Sequence, residues 1–344
     1  MLDIEFYQKA WEVKKILSEG HKASRYTFNR FESFRSENPV IYDIESTNDC
    51  NMVCKMCPRS KMTRPIHTMS MSVYNNIVSQ IEPFTPSQLS EWEKFVTEKY
   101  KVLPTDMSEN HFLMYVIAKS IVLHGYGEPL LDPYIVQRVQ ALTDKGIPSY
   151  FSCNPANVNI PKLTEVFKAG LGHLKFSIDS VSDTGMKNIR GKHANYVDSY
   201  NKILQLLEII ANNNYKTQIV ITMLNFNEDE YLQLMQDFEG LDVYIYLKSL
   251  DQNWLHGIES KTKSIHWSEL CQFPWSTMSV HSNGDIVACP FCYNNDLLLG
   301  NTTENSLHDI WNSDKYKQLR EDHFNFKPSK CTEACDLKIL WSYR

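Results

Sequence analysis

The run Asp49-Cys50-Asn51-Met52-Val53-Cys54-Lys55-Met56-Cys57-Pro58-Arg59 decides how this chain is read. Its cysteines are spaced C-x3-C-x2-C. Three thiolates this close together can hold three irons of a cubane iron–sulfur cluster and leave the fourth iron without a protein ligand. A structural metal site closes its shell with four protein ligands, whereas an open position is built to bind something else. Cys50, Cys54 and Cys57 therefore speak about chemistry as well as folding. The competing readings are a surface redox pair or a zinc site, with His67 as the nearest fourth ligand.

The cysteine run follows a strand-like segment, 41–46. Further short apolar segments occur at 121–124, 149–153, 174–178, 218–222 and 243–247. Each is rich in β-branched or aromatic residues, as strands buried on both faces are. Amphipathic stretches at 72–81, 134–145, 160–169, 196–211 and 228–237 lie between them. Six β–α units in a row predict a parallel sheet, either open and doubly wound or a partial barrel. In both, ligand-binding loops sit at the C-terminal ends of the strands. The cysteine run falls at such an end.

The rest of the chain divides around this array. Residues 1–39 predict a helical segment ending at Asn38-Pro39. Within the array of residues 40–248, the stretch 83–119 is an insertion with helix-like pieces set off by Pro83, Pro86 and Pro104. So long a connection is a lid, an inserted subdomain or an outer packing layer. Residues 249–268 are polar and irregular and predict a linker. From 269 to 344 the signals are a hairpin at Asn283-Gly284, a helix near 306–321, and late cysteines.

Composition sets outer bounds. The chain of 344 residues is 42% hydrophobic and 22% charged, a globular balance. Its formal charge is −6 and no long basic run occurs, which argues against a nucleic-acid partner. No apolar run is long enough to cross a bilayer, and the acidic N-terminus has no signal core. A cytoplasmic location is expected. There, nine cysteines are a poor disulfide framework. Cys153 reads as a buried thiol. Cys271, Cys289, Cys292, Cys331 and Cys335 cluster late and predict a second metal site.

The motifs after the strands resemble those of the radical S-adenosylmethionine superfamily. HGYGEPLLDP (124–133) is similar to its glycine-rich segment; there Gly125, Tyr126, Gly127 and Glu128 would face the methionyl amino group. SCNPA (152–156) brings Asn154 near the cofactor. KFSIDS (175–180) supplies Ser177 and Asp179, at positions that face the ribose or substrate, and NIRG (188–191) supplies Arg190 for the carboxylate. Each segment follows a strand, in the family's order. Met56 departs from the aromatic residue many members carry there, yet can still pack on adenine.

The resemblance implies a partial six-unit (β/α) barrel of the TIM type in the α/β class. It also implies the reaction: a [4Fe-4S] cluster bound with S-adenosyl-L-methionine generates a 5′-deoxyadenosyl radical that takes a hydrogen atom from substrate. The late cysteines resemble a SPASM or shorter twitch extension, a small hairpin-plus-helix unit. Cys271, Cys289, Cys331 and Cys335 would then hold one auxiliary [4Fe-4S] cluster. Zinc at Cys289, Cys292, Cys331 and Cys335 is the alternative. Trp311 and Arg320 read as packing residues, and His124 and His281 as satisfied histidines.

The single-cluster layout resembles dehydrogenases that oxidise a hydroxyl-bearing carbon of a sugar, amino sugar or cyclitol, with Arg190 assisting deprotonation. A small molecule or short peptide is the expected substrate, and flavodoxin or ferredoxin the expected electron donor. The alternatives are an epimerase, with Cys292 or Cys153 as hydrogen donor, a peptide-modifying maturase, and a non-catalytic zinc protein.

Overall fold

A computed structural model describes residues 1–18, 24–224, 227–248 and 271–324, with the backbone alone for 14–18. The expected linker and the late cysteines Cys331 and Cys335 lie outside these residues. Nine strands form one open sheet. They are β1 (Ile41–Ile44), β2 (Ile121–Val122), β3 (Ser149–Cys153), β4 (His173–Ser177), β5 (Gln218–Leu224), β6 (Val243–Lys248), β7 (Met278–Val280), β8 (Asp285–Val287) and β9 (Leu298–Asn301). The order across the sheet is β6-β5-β4-β3-β2-β1-β7-β8-β9.

All six strands expected from the apolar pattern form, and they pair in parallel. The C-terminal hairpin does not stand apart. Strand β7 pairs in parallel with β1 and so continues the barrel sheet. Gly284, at φ +87, closes the β7–β8 turn where an L side chain would be strained.

One face of the sheet packs beneath the helices. Ile121, Phe151, Leu174, Phe176, Ile219, Ile221 and Ile245 belong to that main core. The alternate residues face inward, because successive strand side chains point to opposite faces. On that inner side Tyr150, Val220, Tyr244 and Tyr246 form a smaller aromatic cluster. Phe112 of the insertion plugs it, stacked on Tyr246 at 5.3 Å and edge-on to Tyr150 at 5.3 Å.

The insertion is therefore a packing element that fills the N-terminal half of the barrel, and its residues do not line the cavity at the other end. Its helix Pro86–Phe95 buries Trp92, whose indole N–H donates to the Met114 carbonyl at 2.7 Å. Trp92 joins Phe6, Tyr7, Phe31, Trp275 and Phe324 in a second core. That core ties the N-terminal helices Ile4–Ser18 and Arg25–Phe34 to the insertion and to the C-terminal part. Arg320 pairs with Glu32 at 3.0 Å, and Trp311 donates to the Ser36 carbonyl at 2.9 Å. Both act as packing residues, as expected.

Two helical details differ from the sequence reading. Helix Asp183–Arg190 is additional, capped by the Ser182 side chain. The expected helix over 306–321 is two helices, Leu307–Trp311 and Asp314–Phe324, broken at Asn312-Ser313.

Candidate active site

A cavity of about 250 Å³ opens at the C-terminal ends of the strands. Cys50, Cys54 and Cys57 line it together with Gly125, Tyr126, Gly127, Glu128, Asn154, Ser177 and Arg190. Residues spread over more than a hundred positions thus meet on one wall.

The cysteine loop is pinned from several sides. The Glu128 N–H donates to the Asp49 carbonyl at 2.7 Å, and the Lys55 N–H to the Ile189 carbonyl at 2.9 Å. Asn51 and Asn157 exchange side-chain hydrogen bonds at 2.7 and 2.9 Å. A Cβ on Gly127 would stand 2.1 Å from the Thr47 carbonyl oxygen. The glycine is there for close backbone approach.

Glu45 organises the base of this arrangement. It is fully buried just after β1. It takes a bidentate pair from Arg64 at 2.8 and 2.9 Å and the N–H groups of Tyr126 and Ser282, each at 3.1 Å. Burial pushes its pKa up, but Arg64 and these donors outweigh that and hold it below the ordinary value. One carboxylate joins the strand end, the return of the cysteine loop, the glycine segment and the hairpin. Sequence reasoning missed it, because a lone acid after a strand carries no signal of its partners.

Glu128 behaves differently. It accepts from the N–H groups of Asn154 at 2.9 Å and Leu130 at 3.2 Å, and from the Asn157 amide at 3.1 Å. Burial still raises its pKa to about 7. A cationic ligand group beside it would restore the charge.

Asp179 is not in the cavity wall. Its carboxylate lies beneath Arg190, pairs with the Arg190 Nε, and accepts the Leu224 N–H at 3.0 Å. It therefore anchors Arg190. Burial would lower the Arg190 pKa, but Asp179 and the Cys54 sulfur raise it further. Asp179 and Cys54 thereby favour the charged guanidinium. Its Nη1 lies 3.7 Å from the Cys54 Sγ.

The residues fit a cluster with its bound cofactor. The Asn154 Nδ2 is buried without a partner among the described residues, and Asn154 lines the cavity. Burial raises the Cys50 thiol pKa to about 11, so a bound metal must displace its proton. Among the described residues, no three Cys, His, Asp or Glu side chains converge as the ligands of a single ion would. His67 is exposed, with its Nδ1 at 2.9 Å from the Ser282 carbonyl, and is not in the wall. The zinc reading of this loop loses its fourth ligand.

Beyond the cavity, Cys271 and Cys289 pack against the same aromatic core. The Cys271 N–H donates to His323 Nε2 at 3.1 Å. Cys292 stays out of the cavity wall; its thiol donates to the Asn294 carbonyl at 2.8 Å. His281 has an oxygen near each ring nitrogen, the Asn295 Oδ1 at 2.8 Å and the Cys292 carbonyl at 2.9 Å, and donates to one of them when neutral. His124 does line the cavity, its Nδ1 accepting the Ser152 N–H at 3.1 Å.

A family profile described as the radical SAM superfamily matches residues 44–238. This chain belongs to that superfamily. A second profile, the SPASM iron-sulfur cluster-binding domain, matches residues 271–336. The cofactors are accordingly a [4Fe-4S] cluster with S-adenosylmethionine and auxiliary iron–sulfur binding in the C-terminal part. A curated relative is the S-adenosyl-L-methionine-dependent tRNA 4-demethylwyosine synthase of Saccharomyces cerevisiae, 30% identical over 132 residues. That match spans 36% of this chain and 15% of the yeast protein. SuiB of Streptococcus suis, solved bound to S-adenosylmethionine, superposes with TM-score 0.52 at 15% identity, covering 97% of this chain and 82% of SuiB. BtrN, solved with AdoMet and 2-DOIA, gives TM-score 0.47 at 16% identity, covering 83% of this chain and 87% of BtrN. The SuiB likeness supports the barrel fold; neither structure bears on the substrate. No helix among the described residues is long and apolar enough to cross a membrane.

Proposed function

We propose that this radical SAM enzyme oxidises a hydroxyl-bearing carbon of a sugar, amino sugar or cyclitol, with the auxiliary cluster as electron acceptor. When bound, the cluster and S-adenosylmethionine supply hydrogen-atom abstraction from an unactivated carbon. The substrate carbinol then gives up a hydrogen atom, a proton and one electron to become a carbonyl.

The observation that carries this reading is Tyr126. It lines the cavity, and its hydroxyl donates to the Pro290 carbonyl at 2.7 Å, one residue from Cys289. The wall of the cavity is thus bonded to the loop of an expected auxiliary ligand, which gives the electron a short way out. The other residues have binding and positioning roles. Glu128 offsets the cofactor's ammonium, Asn154 and Ser177 present polar atoms, and Asp179 fixes Arg190 beside Cys54. A flavodoxin or ferredoxin would supply the reducing electron.

The test is anaerobic incubation of reconstituted enzyme with deuterated sugars, cyclitols and peptides. The reading expects deuterium in 5′-deoxyadenosine and a product two hydrogens lighter. A product that has exchanged its deuterium for one solvent hydrogen at the same carbon, with no second hydrogen lost, would replace it with epimerisation. That second reading has one observation in its favour: the buried Cys153 lines the cavity. Under it, Cys153→Ala would abolish product while 5′-deoxyadenosine still forms.

A further inference from the structure

Four cationic or basic side chains line the cavity, His124, Lys175, Arg190 and Lys248, against one acid, Glu128. Three of these five are already answered. Arg190 is paired with Asp179, and Glu128 has its three N–H donors. His124 is held neutral, its pKa pushed well down by burial and by Lys175 and Lys248.

The two lysines are different. Lys175 is only 8% exposed. Its Nζ lies 5.2 Å from the Phe112 ring centroid and 5.8 Å from that of Tyr150. Ring faces attract the charge but fill none of its three N–H donors. Among the described residues, neither the Lys175 nor the Lys248 side chain has a hydrogen bond or an ion pair. Glu109 acts on Lys175 only at a distance. Burial, and then Lys248, lower the Lys175 pKa to about 7.

We propose that Lys175 and Lys248 form an oxyanion subsite, and that the substrate carries a carboxylate or phosphate group that seats there. This rests on the reading that the cavity holds the substrate. Position separates Lys175 from the cofactor's residues. Lys175 registers with Val220, two residues deeper in the barrel than the Ser177–Thr222 pair, and Lys248 registers with Leu224, two residues nearer the mouth. The Lys248 side chain reaches the same cavity from above. Lys175 stands directly above the aromatic floor made by Phe112 and Tyr150. An oxyanion there would fill the empty donors and offset the mutual repulsion of the two ammonium groups. Within the proposed substrate class, the geometry points to a sugar acid or a phosphorylated sugar over a neutral one.

The test uses the full, cluster-reconstituted enzyme with saturating S-adenosylmethionine. Brief acetylation with acetic anhydride at neutral pH is followed by peptide mass spectrometry of Lys175, with exposed Lys94 as internal reference. Inorganic phosphate and D-glucuronate should each protect Lys175 several-fold, and D-glucuronamide should not. In Lys248→Met, protection should need at least about tenfold more phosphate, as loss of one partner of a buried charge contact implies. Lys248→Arg should restore it, which guards against a merely misfolded variant. Equal protection by the amide, no protection by either anion, or full protection by S-adenosylmethionine alone would overturn the proposal. Labelling needs no turnover, so its failure leaves the oxidation reading standing, and failure of oxidation leaves the subsite standing.

Discussion

Gly127→Ala tests how the cysteine loop and the glycine segment depend on each other. The added Cβ would lie 2.1 Å from the Thr47 carbonyl oxygen, 2.7 Å from its carbon and 2.8 Å from the Asn48 Cα. All three are backbone atoms, so no side chain can rotate away. Relief requires the two backbones to part by about 1 Å, to ordinary contact distance. The neighbouring Glu128 N–H to Asp49 carbonyl bond is 2.7 Å and would be lost on such a shift. Overpacking of about 1–3 kcal/mol and a broken buried hydrogen bond of about 1–3 kcal/mol together predict roughly 2–6 kcal/mol. Urea unfolding of the reconstituted enzyme measures it, with S-adenosylmethionine binding followed in parallel. Gly146→Ala is the control. Its Cβ meets nothing within 4 Å, so only the φ of +75 opposes it, at about 1–2 kcal/mol. A Gly127→Ala enzyme with the control's midpoint and unchanged cofactor binding would refute the close-approach argument.

Other variants probe the remaining parts of the site. Glu45→Gln breaks a buried bidentate pair and should destabilise the fold by about 3–5 kcal/mol, read by urea unfolding. The Glu45 carboxyl is held below its ordinary value, so its contribution is complete above the unfolded-state pKa and fades as pH falls through the folded one. An acid-unfolding curve should accordingly lose part of its steepness in Glu45→Gln, and an unchanged curve would count against the pair. Asp179→Asn should release Arg190 and weaken S-adenosylmethionine binding about tenfold or more, measured by equilibrium dialysis. Cys292→Ala should keep both the iron content and 5′-deoxyadenosine formation of the wild type; a loss of iron would make Cys292 an auxiliary ligand.

The sheet was legible because buried parallel strands leave an apolar, β-branched signature, and all six such segments are strands. The hairpin was legible from Asn283-Gly284, but not its pairing with β1, which no local pattern encodes. Helix Asp183–Arg190 was overlooked although Ser182 followed by Asp183 is a capping signal; Gly185 and a polar composition masked it. Of the site, the cysteine loop and the glycine segment could be read because spacing and close approach restrict residue type. Side-chain direction could not be read. Asp179, expected to face the ribose or substrate, pairs with Arg190, and the Cys292 thiol donates to the Asn294 carbonyl. Lys175 did leave a signal, a cation within an apolar strand, which marks a buried charge with a task. Glu45 left none, since its meaning lies in Arg64, Tyr126 and Ser282, which approach from three other segments.

The most direct measurement of the whole account is iron and 5′-deoxyadenosine in wild type and in the Cys50→Ala/Cys54→Ala/Cys57→Ala variant after anaerobic reconstitution. Two cubane sites predict about eight irons per wild-type chain and about four in the variant. The variant should form no 5′-deoxyadenosine while the auxiliary iron signal persists. Cofactor cleavage by the triple variant, or iron that falls to zero in it, would contradict a cavity site built on Cys50, Cys54 and Cys57 beside an independent auxiliary cluster.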